Sequence, residues 1–463
     1  MSVARQMRLH QDPRPVTEAS WTADRMGDLL MMATILFLLI GASPYDHQGT
    51  INPDTGVAVL SPVNRYAWFA LTGLALPLLW GKRDEALALL GRSWPYLLLL
   101  GWFSVTTLWA LDPDTSRRRL ILLICQSIIC MAACLQLRGA GSMHRAIAVS
   151  CAIVVLIDLA SWIFLPGLSQ TDVGLAAIHN HKNSLGLAMM FSIFSCSTYV
   201  FTQKTFLTKL FWISIIVAAS ALLLASLSKT SAAITVSALA ATPFILLLLR
   251  QRMVAIAGVL VMALTLVAVA AQAWFSLSYL QARDPLWPIR GLTFTQRTDV
   301  WQFVIQQISL RPWGGAGFGS FWDINPMVQP SLHGDYWFAQ ADVPANEAHN
   351  GYLDMFVTTG IIGLAGSVVV IFRWIGRGFM LLHNALRSNS ASVREQLPYL
   401  VFLTLFPVLI CLHNALESSY FNTVGLFSFI VVLNGLDVDL RYPSKTPAPT
   451  PRLSMTRLAV SAR

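Results

Sequence analysis

The sequence predicts an all-α membrane protein, a polytopic bundle of about twelve transmembrane helices with one large polar loop. Two observations predict this fold. Hydrophobic residues make up 55% of the chain and charged residues only 12%, about half the charged fraction of a soluble domain. Apolar stretches that could cross a bilayer as helices recur along the sequence, and the long interruption lies between Arg290 and Gly363. A set of soluble domains is therefore excluded.

The helices are predicted from the apolar stretches in order along the chain. Several stretches are shorter than the ~20 residues of a typical spanning helix, so the predicted helix boundaries are approximate. The predicted spans are residues 26–42, 64–80, 94–111, 120–137, 146–165, 183–201, 210–227, 231–249, 253–273, 350–372, 397–415 and 420–436.

The distribution of Lys and Arg between these spans predicts the orientation. Most of the 32 Lys and Arg residues fall on the side that carries the N-terminus, and that side is expected to be cytoplasmic. Both termini are then cytoplasmic and the long loop faces outward, and no cleavable signal peptide is expected. The predicted organisation is a cytoplasmic tail (1–25), nine spans (26–273), the large loop (274–349), three spans (350–440) and a disordered cytoplasmic tail (441–463).

Neither the cysteines nor the net charge indicates a metal or a nucleic acid. A net charge of +9 would suggest nucleic acid in a soluble protein, but here its distribution across the membrane matters more. The six cysteines lie in apolar stretches, without Cys-x-x-Cys or Cys/His spacing, so neither disulfides nor zinc are predicted. These cysteines are Cys125, Cys130, Cys134, Cys151, Cys196 and Cys411.

The informative cations are those predicted to face outward, because topology gives no reason for them. We expect them to converge on one anion such as a lipid pyrophosphate, since Arg pairs bidentately with phosphate oxygens and Lys adds a point charge. The alternative is that they contact lipid headgroups or the nearby carboxylates of Asp112, Asp114 and Asp299. The outward cations are Arg65, Arg117, Arg118, Arg119, Lys182, Lys229, Arg283, Arg290, Arg297 and Arg311.

Two short polar stretches stand at the starts of predicted spans. In His-Asn-His-Lys-Asn, His181 and Lys182 precede Asn183, which can cap the following helix, and free N–H groups at a helix start favour an anion. The alternative is a capping cluster at the membrane surface. Lys229 stands between two apolar stretches and is a functional candidate because a cation at the membrane is costly. A tight turn with a snorkelling Lys is the alternative.

The large loop contains three candidate features. Arg297 opens an amphipathic segment with Trp301 and Ile308 on one face, predicted to be a helix on the membrane surface. The glycine-rich stretch 314–319 permits close backbone approach but lacks the Gly-Lys-Ser/Thr of a phosphate loop. Glu347 and His349 then precede a predicted span, and His349 suits a general base that removes a hydroxyl proton. The alternative for His349 is a role in helix capping.

Together these features resemble the O-antigen ligase/polymerase family of bacterial inner-membrane proteins. The motif R-x3-W-x10-P-W-G-G-x-G is followed by H-N-x-Y-L-x6-G-x-x-G, and the ALDPDTSRRRL, HNHKNSLG and SKTS stretches are also similar to family members. The resemblance extends over nearly the whole chain and is closest to rhizobial-type exopolysaccharide polymerases. The two motifs are carried by Arg297, Trp301, Pro312, Gly314, Gly315, Gly317, His349, Asn350, Tyr352, Leu353, Gly360 and Gly363.

The resemblance implies a metal-independent glycosyltransferase without a cofactor, whose large periplasmic loop contains short helices. Its donor would be a glycan on undecaprenyl pyrophosphate. A polymerase would transfer this glycan to another lipid-linked repeat, and a ligase to the lipid A core. Chain-length regulators and export proteins are expected partners, beside the membrane lipids. A transporter or flippase for lipid-linked sugars is the non-enzyme alternative, but it would place polar residues along the spans.

The predicted mechanism assigns a role to each candidate residue. His349, oriented by Glu347, is expected to deprotonate or position the acceptor hydroxyl, which attacks the anomeric carbon with inversion; Arg297 acts beside them. Cationic side chains would replace a metal in stabilising the leaving group. The predicted pyrophosphate-binding residues are Arg117, Arg118, Arg119, His181, Lys182, Lys229, Arg297 and Arg311.

Overall fold

The computed structural model describes residues 18–46, 62–137, 139–251, 297–339, 345–421 and 425–442. Within them the chain is almost entirely helical, and the one small sheet pairs β1 (Gln170–Thr171) with β2 (Gly174–Leu175). Short helical turns lie at Thr107–Trp109, Pro166–Ser169, Val200–Thr202, Pro330–Leu332, Trp337–Ala339 and Ala391–Arg394. The longer helices are α1 (Glu18–Ile40), α2 (Pro62–Trp80), α3 (Arg83–Arg92), α4 (Trp94–Thr106), α5 (Pro113–Gln136), α6 (Ala140–Phe164), α7 (Lys182–Tyr199), α8 (Phe206–Ala225), α9 (Lys229–Arg250), α10 (Arg297–Leu310), α11 (Gly351–Leu386), α12 (Leu397–Asn414) and α13 (Leu426–Arg441).

The predicted all-α polytopic fold is confirmed. In the described part of the chain, seven helices are long and apolar enough to cross a membrane, and α3 with α4, bent by 81°, can form an eighth span. Each predicted span in these ranges coincides with a helix. The span predicted at 253–273 lies outside the described residues, and the number of about twelve spans stays a prediction.

The helices differ from the predicted boundaries at three places. The span predicted at 350–372 continues as α11 to Leu386, through Arg373 and Arg377. Both arginines pair with the buried Asp439 carboxylate, so charge does not end the helix there. The predicted connection at 111–120 is helical from Pro113, because the Asp112 carboxylate accepts a hydrogen bond from the Thr115 N–H and caps α5. The last span begins at Leu426 rather than at 420.

Helices α12 and α13 form the centre of the bundle. About three quarters of the apolar stretch of α12 is buried (72%), whereas only 17% of that of α9 is buried. The rings of Phe402 and Phe406 stack on one another and contact Phe191 and Phe194 of α7. The outer helices α8 and α9 therefore present their apolar side chains to lipid, while α12 and α13 hold the bundle together.

The loop helix α10 does not lie with its apolar face on the membrane, so that prediction is wrong. Val300, Phe303, Val304 and Ile308 are buried in a second core with Phe338 and the rings that follow the glycine-rich stretch. The apolar face of an amphipathic helix can be buried against protein as well as against lipid. Here the rest of the loop supplies the covering side chains.

The glycine-rich stretch is packed into a break in α11. Gly360 adopts a left-handed backbone (φ +70°) inside the helix, and Gly315 opposite it has φ +66°. The Ile361 N–H donates to the Pro312 carbonyl (2.9 Å), and the Ala316 N–H donates to the Val357 carbonyl (2.8 Å). A Cβ at Gly360 would lie 2.0 Å from the Trp313 carbonyl oxygen. These glycines thus permit close contact between the loop and α11.

Candidate active site

A cluster of four charged side chains lies where α10, α11 and the α12–α13 connection meet. His349 Nδ1 lies 2.9 Å from Glu347 Oε1 and 2.9 Å from Glu417 Oε2. The other oxygen of Glu417 accepts a hydrogen bond from Arg297 Nη2 (2.8 Å), and Arg297 Nη1 donates to the Leu416 carbonyl. The structure therefore brings together the three predicted catalytic residues, and adds Glu417. We call these four residues the His349 cluster.

The backbone at His349 is held in an unusual conformation by its neighbours. Its φ of +49° lies in the left-handed region, which a non-glycine residue rarely adopts unless the surroundings impose it. On one side, the Trp301 indole donates to the Ala348 carbonyl (2.8 Å). On the other, the Asn350 side chain caps α11 by accepting from the Tyr352 and Leu353 N–H groups. Residues of the family motif thus fix the direction of the imidazole.

The buried carboxylate of Asp354, one turn into α11, ties three segments to this position. It accepts hydrogen bonds from the Trp322 indole (2.7 Å), the Ala348 N–H (3.1 Å) and the Ser418 hydroxyl. Ser418 follows Glu417 directly, and Ala348 precedes His349. Asp354 therefore sets the spacing between the two sides of the His349 cluster.

Hydrogen bonds and charges within the cluster determine which of its groups are protonated. Burial lowers the pKa of His349, but the hydrogen bonds and charges of Glu347 and Glu417 raise it more, to about 9. Burial raises the pKa of Glu417, but His349 and Arg297 outweigh this and lower it to about 2. The pKa of Glu347 is raised, chiefly by burial, against the opposing effect of His349. At neutral pH the imidazole is therefore a cation, and Glu347 is the more basic of the two carboxylates.

The ligand atoms of Glu347, His349 and Glu417 all lie within 4.8 Å of one another, which is close enough to hold a metal ion. Each oxygen of Glu417 already has a hydrogen-bond partner, one on Arg297 and one on His349. A metal would have to displace the proton of His349 Nδ1 and lie close to the Arg297 guanidinium. The set fits a hydrogen-bonded ionic network better than a metal centre.

The start of α7 brings His181 and Lys182 near this cluster. His181 caps α7, its Nδ1 accepting from the Asn183 N–H (3.2 Å), and Lys182 Nζ donates to the Val173 carbonyl (3.1 Å). The pKa of His181 is lowered by burial and by the charges of Lys182 and His349, while Glu417 opposes this. His181 thus lies within electrostatic range of the His349 cluster.

A cavity of about 210 Å³ connects the His349 cluster to the starts of α7 and α9. Its lining includes Glu347 and Glu417 of the cluster, and Asn183 and Ser228 at the starts of the two helices. Gly186 allows the two helix starts to approach, since a Cβ there would lie 2.6 Å from the Cβ of Ser228. The first N–H groups of α7 are already bonded to His181, from Asn183 to its Nδ1 and from Ser184 to its carbonyl. An anion would therefore be attracted by the partial positive charge of the helix starts and by the polar side chains there. The lining combines these groups with two carboxylates.

Lys229 and Arg311 are exposed at helix ends. Lys229 is the first residue of α9, directly after Ser228, which lines the cavity. Arg311 follows the end of α10. The predictions that they bind pyrophosphate stay predictions. Residues Arg283 and Arg290, also predicted to face outward, lie outside the described residues.

The three arginines at the start of α5 contact other parts of the protein. Arg119 donates to the Gly319 (2.6 Å), Trp322 (2.8 Å) and Asp323 (3.1 Å) carbonyls, and so fixes the end of the glycine-rich stretch. Arg118 donates to the Asp114 carbonyl and the Thr115 hydroxyl, and Arg117 lies 3.7 Å from the Asp114 carboxylate. Among the described contacts, none joins these arginines to the His349 cluster directly. Their predicted role in binding pyrophosphate stays a prediction. Arg119 in addition holds the loop backbone in place.

Glu417 is not among the site residues predicted from the sequence. The residue stands in the short connection between two apolar spans, in Ala-Leu-Glu-Ser-Ser-Tyr. The available signal is an acidic residue in a tight connection that is predicted to face outward. Its partners are 68 and 120 positions away in the chain, so no local pattern links it to them.

A family model described as O-antigen ligase matches residues 213–368, which include Arg297, the glycine-rich stretch and His349. Over these residues the chain is similar to the O-antigen ligase/polymerase family. A search of curated proteins finds no match.

The match confirms the predicted resemblance at the level of the family, and the closeness to rhizobial-type polymerases stays a prediction. Members of that family are glycosyltransferase-like ligases and polymerases that act on lipid-linked glycans in membranes. The match and the apolar helices together support a multi-pass membrane enzyme.

Proposed function

We propose that the enzyme polymerises oligosaccharide repeats carried on undecaprenyl pyrophosphate, at the periplasmic face of the bacterial inner membrane, to make exopolysaccharide. The observation that supports this proposal is the cavity between the helix starts and the His349 cluster. An inverting transfer needs the leaving group on one side of the anomeric carbon and the attacking hydroxyl on the other. The lining of the cavity supplies both kinds of group, helix starts for the leaving group and carboxylates for the attacking hydroxyl.

The pyrophosphate leaving group would lie at the starts of α7 and α9. Asn183 and Ser228 line the cavity there, and Lys182 and Lys229 are the first residues of the two helices. The helix dipoles and the two lysines would stabilise the charge that develops as the glycosidic C–O bond breaks. His181 and the exposed Arg117 and Arg118 are further members of the predicted anion-binding set. Of its other members, Arg119 binds the loop backbone, Arg297 binds Glu417, and Arg311 is exposed at the end of α10.

The acceptor would bind on the side of Glu347 and Glu417. Its hydroxyl oxygen forms the new bond to the anomeric carbon, the bonding electrons leave with the pyrophosphate, and the hydroxyl proton passes to the cluster. We assign this proton to Glu347, because burial raises the pKa of its carboxyl group. His349, already protonated, positions the acceptor, while Arg297 and Glu417 hold the imidazole in place.

Substitution of the cluster tests the proposal. In cells, His349→Ala and Arg297→Ala are each expected to abolish high-mass polymer, because each removes a charge from the network. His333→Ala is a matched control, since His333 is an exposed histidine of the same loop. Polymer length is measured by gel electrophoresis, alongside the amount of protein in the membrane. Polymer of wild-type length from the His349 variant would remove this residue from the mechanism.

A ligase that transfers the glycan to the lipid A core is the second candidate, favoured by the description of the matching family model. Deletion of the gene distinguishes the two. Loss of high-mass exopolysaccharide with intact lipopolysaccharide is expected for the polymerase. Lipopolysaccharide that lacks its O-antigen is expected for the ligase.

A further inference from the structure

The end of α10 carries apolar side chains that the protein does not cover. Leu310 is 71% exposed and Trp313 is 72% exposed, while Val304 and Ile308 of the same helix are buried in the loop core. Arg311 between them is also exposed. A loop surrounded by water rarely leaves a leucine and a tryptophan so open, and such patches mark contact with a partner or a membrane.

This surface is continuous with the lipid-facing sides of two helices. The Pro312 carbonyl accepts from the Ile361 N–H of α11, and the Trp109 indole after α4 donates to the Gly314 carbonyl (3.2 Å). The neighbouring side chains are exposed as well. We call the set the Trp313 patch; its members are Leu108 (80% exposed), Leu310, Trp313, Ile361 and Ile362.

The exposure of α11 changes abruptly at the level of this patch. None of residues 351–360 is exposed, because the loop core covers one side of that part of the helix and the bundle covers the other. Ile361, Ile362 and Val369, by contrast, are exposed. Exposed apolar side chains on a spanning helix face hydrocarbon. The change therefore marks where lipid begins on the His349 side of the molecule.

We infer that residues 310–313 are inserted into the bilayer leaflet on the His349 side, with Arg311 bound to lipid phosphate groups. Tryptophan favours the boundary between headgroups and hydrocarbon, and a neighbouring Arg can reach the headgroups from there. The partner of the Trp313 patch is thus the lipid surface itself. Helix α10 thus contacts lipid at its end, while its apolar face packs on protein.

The insertion sets the height of the His349 cluster above the hydrocarbon. Gly360 lies nine positions after Gly351 in α11, a length of at most about 14 Å at 1.5 Å per residue. The first part of α11 is then outside the bilayer, although it is apolar. This placement depends on the exposed surface and not on the proposed reaction.

Spin labelling tests the insertion in the full-length protein. A nitroxide is attached at Leu310→Cys, with Val369→Cys as the membrane reference and His333→Cys as the water reference. The six native cysteines are all buried, and labelled protein without an added cysteine gives the background. The samples are vesicles of phosphatidylethanolamine and phosphatidylglycerol, and the measurement is the collision rate with oxygen and with a water-soluble nickel chelate.

The expected result is that the label at 310 is accessible to oxygen and protected from nickel, as at 369. Adding Trp313→Asp is expected to make the label at 310 accessible to nickel, since a carboxylate resists burial in lipid. The inference is wrong if the label at 310 is as accessible to nickel as the label at 333, or if Trp313→Asp leaves its accessibility unchanged. Both substituted side chains are largely exposed, so the protein is expected to fold.

Discussion

At the scale of single residues, the His349 cluster is a network of opposite charges whose members depend on one another. Glu417 shares its two oxygens between Arg297 and His349, and Glu347 contacts the same imidazole nitrogen. The raised pKa of His349 means that its favourable contacts are complete at acid and neutral pH and are lost as the pH rises through about 9. The lowered pKa of Glu417 means that its contribution is present above the ordinary glutamate range and is lost as the pH falls toward 2.

The pH dependence of activity follows from these shifts. In Glu417→Gln one carboxylate that raises the pKa of His349 is gone, so the imidazole loses its proton at lower pH than in wild type. In this variant the polymerisation rate is expected to decline at a less alkaline pH than in wild type. Its activity at neutral pH is expected to be reduced. The measurement is the initial rate of polymer formation across the pH range. If the rate declines at the same alkaline pH in the variant as in wild type, Glu417 does not set the charge of His349.

At the scale of elements, the break in α11 joins the loop to the membrane bundle. Gly360 has a left-handed backbone and lies against the Trp313 carbonyl. This fit gives a physical reason for a glycine in each half of the motif, at Gly315 and at Gly360. Hydropathy predicts the helix but not its break, because the partner stretch is more than forty positions earlier in the chain.

Substitution of Gly360 is therefore expected to cost more than that of other glycines in α11. Gly360→Ala introduces a clash with backbone and an unfavourable φ, with an expected loss of at least about 2 kcal/mol in the free energy of unfolding. Gly376→Ala is the matched control, since nothing lies within 4 Å of a Cβ there, and alanine favours a helix by about 0.5–1 kcal/mol. The measurement is the thermal denaturation midpoint in detergent. Equal midpoints for the two variants would contradict this account of the break.

At the scale of the whole molecule, α11 connects two ionic clusters at its opposite ends. The His349 cluster lies before its first residue, and the buried Asp439 carboxylate binds Arg373 and Arg377 toward its other end. Removing one partner of a buried ion pair is strongly destabilising. The Asp439 contacts therefore stabilise the central packing of α11 against α13.

The sequence predicts the fold much better than the boundaries and the site. Apolar stretches locate the helices because burial in lipid and in the core both require them. The end of α11 was missed because Asp439 neutralises its arginines from a distant segment. Arg297, Glu347 and His349 were predicted from their motif, whereas Glu417 and the structural role of Arg119 depend on contacts across the fold.

Reaction of the purified enzyme tests the central claim most directly, namely that its own side chains catalyse transfer of the glycan from a lipid pyrophosphate. Lipid-linked repeats are supplied in the presence of a metal chelator, and both polymer and released undecaprenyl pyrophosphate are measured. The account predicts that both products form together with the wild-type enzyme, and that neither forms with His349→Ala. Polymer formation that stops when metal is removed and resumes when it is restored would contradict the account.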